Sequence, residues 1–195
     1  MNHQPNLLFI FADQMRASAL GCMEDETVST PNLDRLAAQG VLCTNAVANS
    51  PVCTPSRASM ITGKHALNAR CFVNDLRLPV EEPAIADALN AQGYRSAYIG
   101  KWHLDGISRH MFTKPEHRHG FNHYWAGYNC NHDYFDCKYY LNDSPDLIRV
   151  PGYEPEIQTD LAIEYLKQHG SEPFNLWLSY GTPHAPYERV PEAYK

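Results

Sequence analysis

The 195-residue chain has no excess of positive charge: 16 Lys and Arg stand against 22 Asp and Glu, a formal net charge of −6. Its basic residues are scattered singly, so it lacks the cationic face that nucleic-acid phosphates require, and no nucleic-acid partner is expected. Long apolar runs are also missing. The longest early one, Leu7 to Ala12, is too short for a signal-peptide core and far below the roughly 20 residues that span a bilayer. As written, the chain reads as cytoplasmic with no membrane partner; a leader removed ahead of Met1 would make it periplasmic or secreted. Internal repeats, low-complexity tracts and single-sign charge runs are absent, while 44% of residues are hydrophobic. One globular domain with a sizeable core is therefore expected. The six cysteines, Cys22, Cys43, Cys53, Cys71, Cys130 and Cys137, are spread through a chain long enough to bury a core, so no disulfide framework is needed and most read as buried thiols.

Strand and helix signals alternate, which predicts an α/β fold with a mostly parallel central sheet flanked by helices. Leu7 to Phe11 is a continuous apolar run, as expected of a strand buried on both faces. Thr30-Pro31 then starts a helix with Leu33, Leu36 and Ala37 as its apolar stripe and Gly40 as its stop. A second helix follows Pro83, with Ile85, Ala88 and Leu89 on one face, and Tyr94 to Ile99 reads as the next strand. A third helix near Glu156 to Gln168 places Ile157, Leu161 and Tyr165 at i, i+4 and i+8, and Phe174 to Tyr180 is the strand after it. Between these, the aromatic and His-rich stretch 104–155 has no sustained period and reads as long loops with a small hairpin.

Three of these strands are followed directly by polar residues: Asp13-Gln14, Lys101-Trp102-His103 and Thr182-Pro183-His184. Open α/β sheets place their ligand crevice at such carboxyl ends, so three separated segments can converge on one site. A fourth contributor is Cys53-Thr54-Pro55-Ser56-Arg57, continuing to Thr62-Gly63. Pro55 fits a first helical turn and Gly63 a C-terminal stop, which puts Cys53 at a short helix's N-terminus, where the dipole and Arg57 favour an anion. Taken alone, this predicts a cysteine of lowered pKa acting as a nucleophile; the plainer alternative is a buried structural cysteine. Cysteine phosphatases place more residues between cysteine and arginine than the three found here.

The Cys53 to Gly63 segment resembles the signature of the formylglycine-dependent (type I) sulfatases of the alkaline phosphatase superfamily. A second family signature is matched by Gly93-Tyr94-Arg95-Ser96-Ala97-Tyr98-Ile99-Gly100-Lys101-Trp102-His103-Leu104. Asn6 to Gln14, Thr30 to Ala37 and Thr182 to Tyr187 also resemble family segments, so the likeness runs from Asn6 to about Tyr187.

The resemblance implies a sulfuric ester hydrolase. In it a maturation enzyme oxidises Cys53 to formylglycine; one hydroxyl of the hydrated aldehyde attacks the sulfate sulfur and the other later expels inorganic sulfate. Arg57 would hold the diol's oxyanion. Asp13 matches a metal-ligand aspartate, with the oxidised Cys53 a further ligand, for a divalent cation expected to be calcium rather than magnesium. Gln14 stands where a second aspartate is commoner and is carried as a candidate ligand through its amide oxygen. Lys101 and His103 match the sulfate-clamping pair, a cation and an imidazole donor, and His184 matches the histidine near the bridging oxygen that protonates the leaving alcohol.

His110, His117, His119, His123 and His132, with Cys130 and Cys137, match no zinc-knuckle spacing, which argues against a zinc site. Tyr124, Trp125, Tyr128 and Tyr134 are expected either to shape the substrate pocket, as aromatic faces suit a sulfated glycan, or to pack as a local core. Family members are longer, and their later half supplies further metal ligands and another lysine without counterpart here. Residues 1–195 thus read as the N-terminal part of a sulfatase catalytic domain with a loop insertion at about 104–155, acting on a small-molecule or glycan sulfate ester. Two rivals stand beside this: a phosphonate or phosphate monoester hydrolase of the same superfamily, and a non-catalytic sulfatase-like fragment.

Overall fold

The computed structural model describes residues 4–23 and 28–194. Its six strands are β1 (Leu7–Ala12), β2 (Arg95–Lys101), β3 (Tyr124–Tyr128), β4 (Asp136–Leu141), β5 (Leu147–Pro151) and β6 (Phe174–Tyr180), and its four α-helices are α1 (Pro31–Gln39), α2 (Cys53–Thr62), α3 (Ile85–Asn90) and α4 (Glu154–His169). The strands form one sheet in the order β1-β6-β2-β3-β4-β5. The pairs β1–β6, β6–β2 and β2–β3 are parallel, and β3–β4 and β4–β5 are antiparallel. The expected α/β class and mostly parallel sheet are therefore observed.

The pleat sends alternate residues of the central strands to opposite faces. Tyr98, Trp125 and Trp177 pack with Ala58 and Ile61 of α2, Ala86 of α3, Trp102 and Phe121 on one face. Ala97, Ile99, Ala126, Leu176 and Leu178 pack with Ala162 and Tyr165 of α4 on the other. The α4 stripe lies as its spacing predicts: Ile157 and Leu161 are partly buried against this second core and Tyr165 is buried. Asn175, a polar residue inside β6, is satisfied there, donating to Ser96 Oγ and accepting from Trp177 Nε1, each at 3.0 Å.

Three expectations are corrected. β1 is not buried on both faces: it pairs only with β6 at the sheet edge, and Ile10 keeps 54% of its surface exposed. The stripe of α1 is likewise uncovered, since none of that helix's residues is buried. In α3 the buried residue is Ala86, whereas Ile85 and Ala88 face solvent. The hairpin expected within 104–155 exists as β4–β5, but the stretch also supplies β3, a full member of the parallel sheet. Trp125, Tyr128 and Tyr134 pack as core. All six cysteines are free, and three of them, Cys71, Cys130 and Cys137, are buried.

Candidate active site

Because β1, β6 and β2 run parallel and in register, their carboxyl ends open on the same side of the sheet. Asp13, just past β1, donates its N–H to the carbonyls of Tyr180 and Thr182, both at 3.1 Å. Lys101 closes β2 and is fully buried. Its carbonyl accepts from Tyr98 Oη at 2.6 Å and from Ser179 Oγ of β6 at 2.8 Å.

α2 enters over these ends. Val52 is extended and precedes Cys53, the first helical residue; Gly63, at φ +68°, closes the helix with its N–H on Ser59 O. Arg57, one turn into α2, is 3% exposed. It donates to Ser179 Oγ at 2.8 Å, to Tyr98 Oη at 3.3 Å and to the Lys101 carbonyl, and lies 5.2 Å from the centre of the Phe11 ring. One planar five-donor cation thus ties α2 to three strands, a task a lysine could not perform.

Asp13 is the focus of the charge. Its Oδ2 accepts a short hydrogen bond from Lys101 Nζ and lies 3.5 Å from Arg57. Cys53 Sγ is 3.4 Å from Asp13 Oδ1 and 3.7 Å from Lys101 Nζ. Burial opposes ionisation of Asp13, but Arg57 and Lys101 outweigh it and hold the carboxyl below its usual range. The thiol of Cys53 goes the other way. Burial pushes it up, the Asp13 carboxylate adds to the rise, and the two cations do not reverse it. The thiolate nucleophile expected from the helix N-terminus alone is therefore corrected: the thiol donates to a carboxylate instead of losing its proton.

Asp13, Gln14, Cys53, Ser56, Arg57 and His184 share the wall of a cavity of about 450 Å³. Gln14 is exposed and left-handed at φ +58°. His184 faces its own chain through Nδ1, 2.8 Å from the Ala185 carbonyl, and its ring stacks on His132 at 4.4 Å and 16°. His103 is set back from this wall. Its ring is 3% exposed, and Nε2 meets Asp75 Oδ1 at 3.0 Å. Burial, reinforced by the charges of Lys101 and Arg57, lowers its pKa to about 4 despite Asp75, so the ring is neutral at neutral pH.

Sequence reasoning missed the supports. Thr54 Oγ1 donates to the His103 carbonyl at 2.8 Å and accepts from the Asp75 N–H at 3.3 Å, while Thr54 N–H donates to Asn74 Oδ1 at 2.9 Å. Asp75 and Arg109 lie in loops with no periodic signal; only the left-handed backbone of Asp75, φ +64°, suits the Asn-Asp dipeptide found there.

As a cation site, Asp13 offers an ionised carboxylate and Gln14 an amide on the same wall. Calcium takes six to eight oxygens. Among the described residues no group of three His, Cys, Asp or Glu side chains is placed to hold an ion, and the Lys101 ammonium already occupies one Asp13 oxygen. These two residues do not by themselves make a metal site.

A second carboxyl is buried among the described residues. Glu154, first residue of α4, is fully buried and its Oε1 accepts from Tyr128 Oη at 2.6 Å. Burial pushes its pKa up to about 7 from 4.5, although the Tyr128 hydrogen bond opposes the rise. The folded protein thus keeps a proton that the unfolded chain releases near pH 4.5. The stability associated with this group is full below that pH and lost as pH rises through about 7, a change of roughly 3 kcal/mol. Urea unfolding across pH 4–8 is expected to show this falling component in the wild type and its absence in Glu154→Gln. Parallel pH profiles for the two proteins would refute it.

A family model described as Sulfatase matches residues 5–195. An ulvan-active sulfatase of Formosa agariphila is 44% identical over 194 residues, covering 98% of this chain and 38% of the relative. Human steryl-sulfatase is 38% identical over 137 residues, covering 63% of this chain and 23% of its own length. Among solved structures, the yidJ protein of Bacteroides fragilis superposes with a TM-score of 0.91 at 33% identity, over 97% of this chain and 46% of that one. BT4656, solved in complex with its substrate D-glucosamine-2-N,6-O-disulfate, gives a TM-score of 0.80 at 28% identity, over 94% and 35%. The chain therefore spans less than half the length of these relatives, and with the family model matching residues 5–195 it belongs to the sulfatase family.

Proposed function

We propose that this chain carries the nucleophile-bearing part of a sulfuric ester hydrolase that releases inorganic sulfate from a sulfated glycan. The observation that carries the reading is the convergence of three separate segments: Asp13 after β1 and Cys53 and Arg57 of α2 share one wall of the 450 Å³ cavity, and Lys101 at the end of β2 is hydrogen-bonded to Asp13 behind it. Formylglycine at position 53, made by a maturation enzyme, would supply a hydrated aldehyde as nucleophile. The chain's own residues do the rest. The N-terminus of α2 and the cations Lys101 and Arg57 favour an anion beside residue 53. Asp13 balances those cations and, through Lys101 Nζ, fixes their position. His184, with Nδ1–H given to the Ala185 carbonyl, has Nε2 free to exchange a proton with the leaving oxygen. Asp13 and Gln14 would give Ca2+ only part of its oxygen shell, and the remaining oxygens would come from donors beyond this pair. The glycan class is supported by the ulvan-active relative and by the sugar disulfate bound to BT4656.

Production with an active maturation system is expected to convert Cys53 alone among the six cysteines, as read by peptide mass spectrometry. The full-length protein should then turn over an aryl sulfate faster than a phosphonate monoester. A thiol retained at Cys53 while a control sulfatase is converted would reject the reading, and the reverse substrate preference would favour the phosphonate hydrolase.

A further inference from the structure

The environment of His103 contains a chain of contacts that the proposed chemistry leaves unexplained. Asp75 Oδ1 lies 3.0 Å from His103 Nε2. Arg109 grips the same carboxylate in a two-point fork, its Nε donating to Oδ1 at 3.0 Å and its Nη2 to Oδ2 at 2.7 Å. The Arg109 fork, aided by the contact with His103, lowers the carboxyl's pKa to about 2. An ionised carboxylate can only accept, so the proton in the His103–Asp75 contact belongs to the ring. The backbone is fixed as tightly: Thr54 Oγ1 bridges the Asp75 N–H and the His103 carbonyl, and the His103 N–H donates to Asn129 O at 2.7 Å. The other ring nitrogen, Nδ1, is buried without a hydrogen-bond partner.

A neutral imidazole has one proton to place, and its partner decides where. We propose that Asp75, clamped by Arg109, is a positioning residue that holds His103 as the Nε2–H tautomer, leaving the buried Nδ1 as the ring's hydrogen-bond acceptor. This rests on the reading of His103 as part of the active site, and it revises the family-derived expectation of an imidazole donor: through Nδ1 the ring accepts. Arg109, 43% exposed at its side chain, acts one step further out, by holding the carboxylate.

The test is made on protein labelled with 15N at histidine, by two-bond 1H–15N correlation at neutral pH, with His103 assigned from the signals lost in His103→Gln. In the wild type Nε2 is expected to resonate as the protonated nitrogen and Nδ1 as the bare one. Asp75→Asn and Asp75→Ala should mix or exchange the two, and Arg109→Ala should shift the pair part of the way. An Nδ1–H tautomer in the wild type, or an unchanged Nε2–H tautomer in both Asp75 variants, overturns the proposal. If Asp75→Ala fails to fold, the near-isosteric Asp75→Asn and the surface variant Arg109→Ala decide it. In the full-length enzyme Asp75→Asn should lower kcat by roughly 10–100-fold, the range for carboxylates that orient a functional histidine, with KM little changed; a raised KM at constant kcat would make Asp75 a substrate contact instead. The tautomer is read without turnover. An inactive wild type that shows the expected tautomer therefore counts against the sulfatase reading and leaves this assignment in place.

Discussion

Lys101→Met is expected to destabilise the fold by roughly 3–5 kcal/mol, the range for removing one partner of a buried ion pair. Lys101 is 0% and Asp13 8% exposed at the side chain, and the ammonium sits directly on Asp13 Oδ2. Methionine fills similar volume, so the loss is mostly electrostatic: a carboxylate remains out of water with only Arg57, 3.5 Å away, to neutralise it. Arg57 cannot turn fully toward Asp13, because its other amino group is committed to Ser179 Oγ and the Lys101 carbonyl. The double variant Asp13→Asn/Lys101→Met should not recover the loss, since it leaves the buried Arg57 guanidinium without its carboxylate. Urea midpoints of the three proteins measure this. A loss below about 1 kcal/mol for Lys101→Met would be surface-pair behaviour and would contradict the burial described above.

Gly100→Ala is expected to cost more than about 4 kcal/mol, or to prevent folding, because two strain mechanisms act together. Gly100 sits inside β2 with φ at +102°, a conformation that L side chains rarely adopt, and a Cβ built there would lie 2.0 Å from the Ser179 carbonyl oxygen of β6. That oxygen is backbone in the neighbouring central strand, so it can yield only if β2 and β6 separate. Separation would also pull Ser179 Oγ from the Lys101 carbonyl. Soluble yield and urea unfolding are the measurements, with Gly63→Ala as comparison: Gly63 is also left-handed, at φ +68°, but a Cβ there meets nothing within 4 Å, so its cost should stay near 1 kcal/mol, the penalty for an L residue in that conformation. Equal losses at the two positions would show that backbone angle alone, and not the approach of β6, sets the requirement at 100.

The elements that sequence predicts best are those whose side-chain period is also their burial period. β6 is found at its predicted bounds, Phe174–Tyr180, because a strand covered on both faces must be apolar almost throughout, and α4 keeps its Ile157, Leu161, Tyr165 stripe because one face meets the sheet. β1 shows the limit of that logic. Its apolar run is as continuous as that of β6, yet composition does not say which strand lies at an edge, and β1 does. β3 was hidden, and the β4–β5 hairpin legible only without its bounds, in a stretch dominated by His, Asn and Tyr, where each strand has only five or six residues and only β5 alternates throughout in burial. For the site, residues at strand ends and the N-terminus of α2 were legible. Asp75, Arg109 and Thr54 were not, because they act by holding other groups, and a loop residue's partner is set by tertiary structure and not by spacing.

The strand order also fixes a chronology. β6 lies between β1 and β2, although its residues come last of the three along the chain. On a ribosome, which releases the amino terminus first, β1 and β2 therefore wait without their shared neighbour until residues 174–180 have emerged. Until then the Tyr180 carbonyl that anchors Asp13 and the Ser179 hydroxyl that joins Arg57 to the Lys101 carbonyl do not yet exist. Nascent chains stopped short of residue 174 should accordingly carry every charge of the Asp13–Arg57–Lys101 cluster and yet lack the strand that locks those charges together.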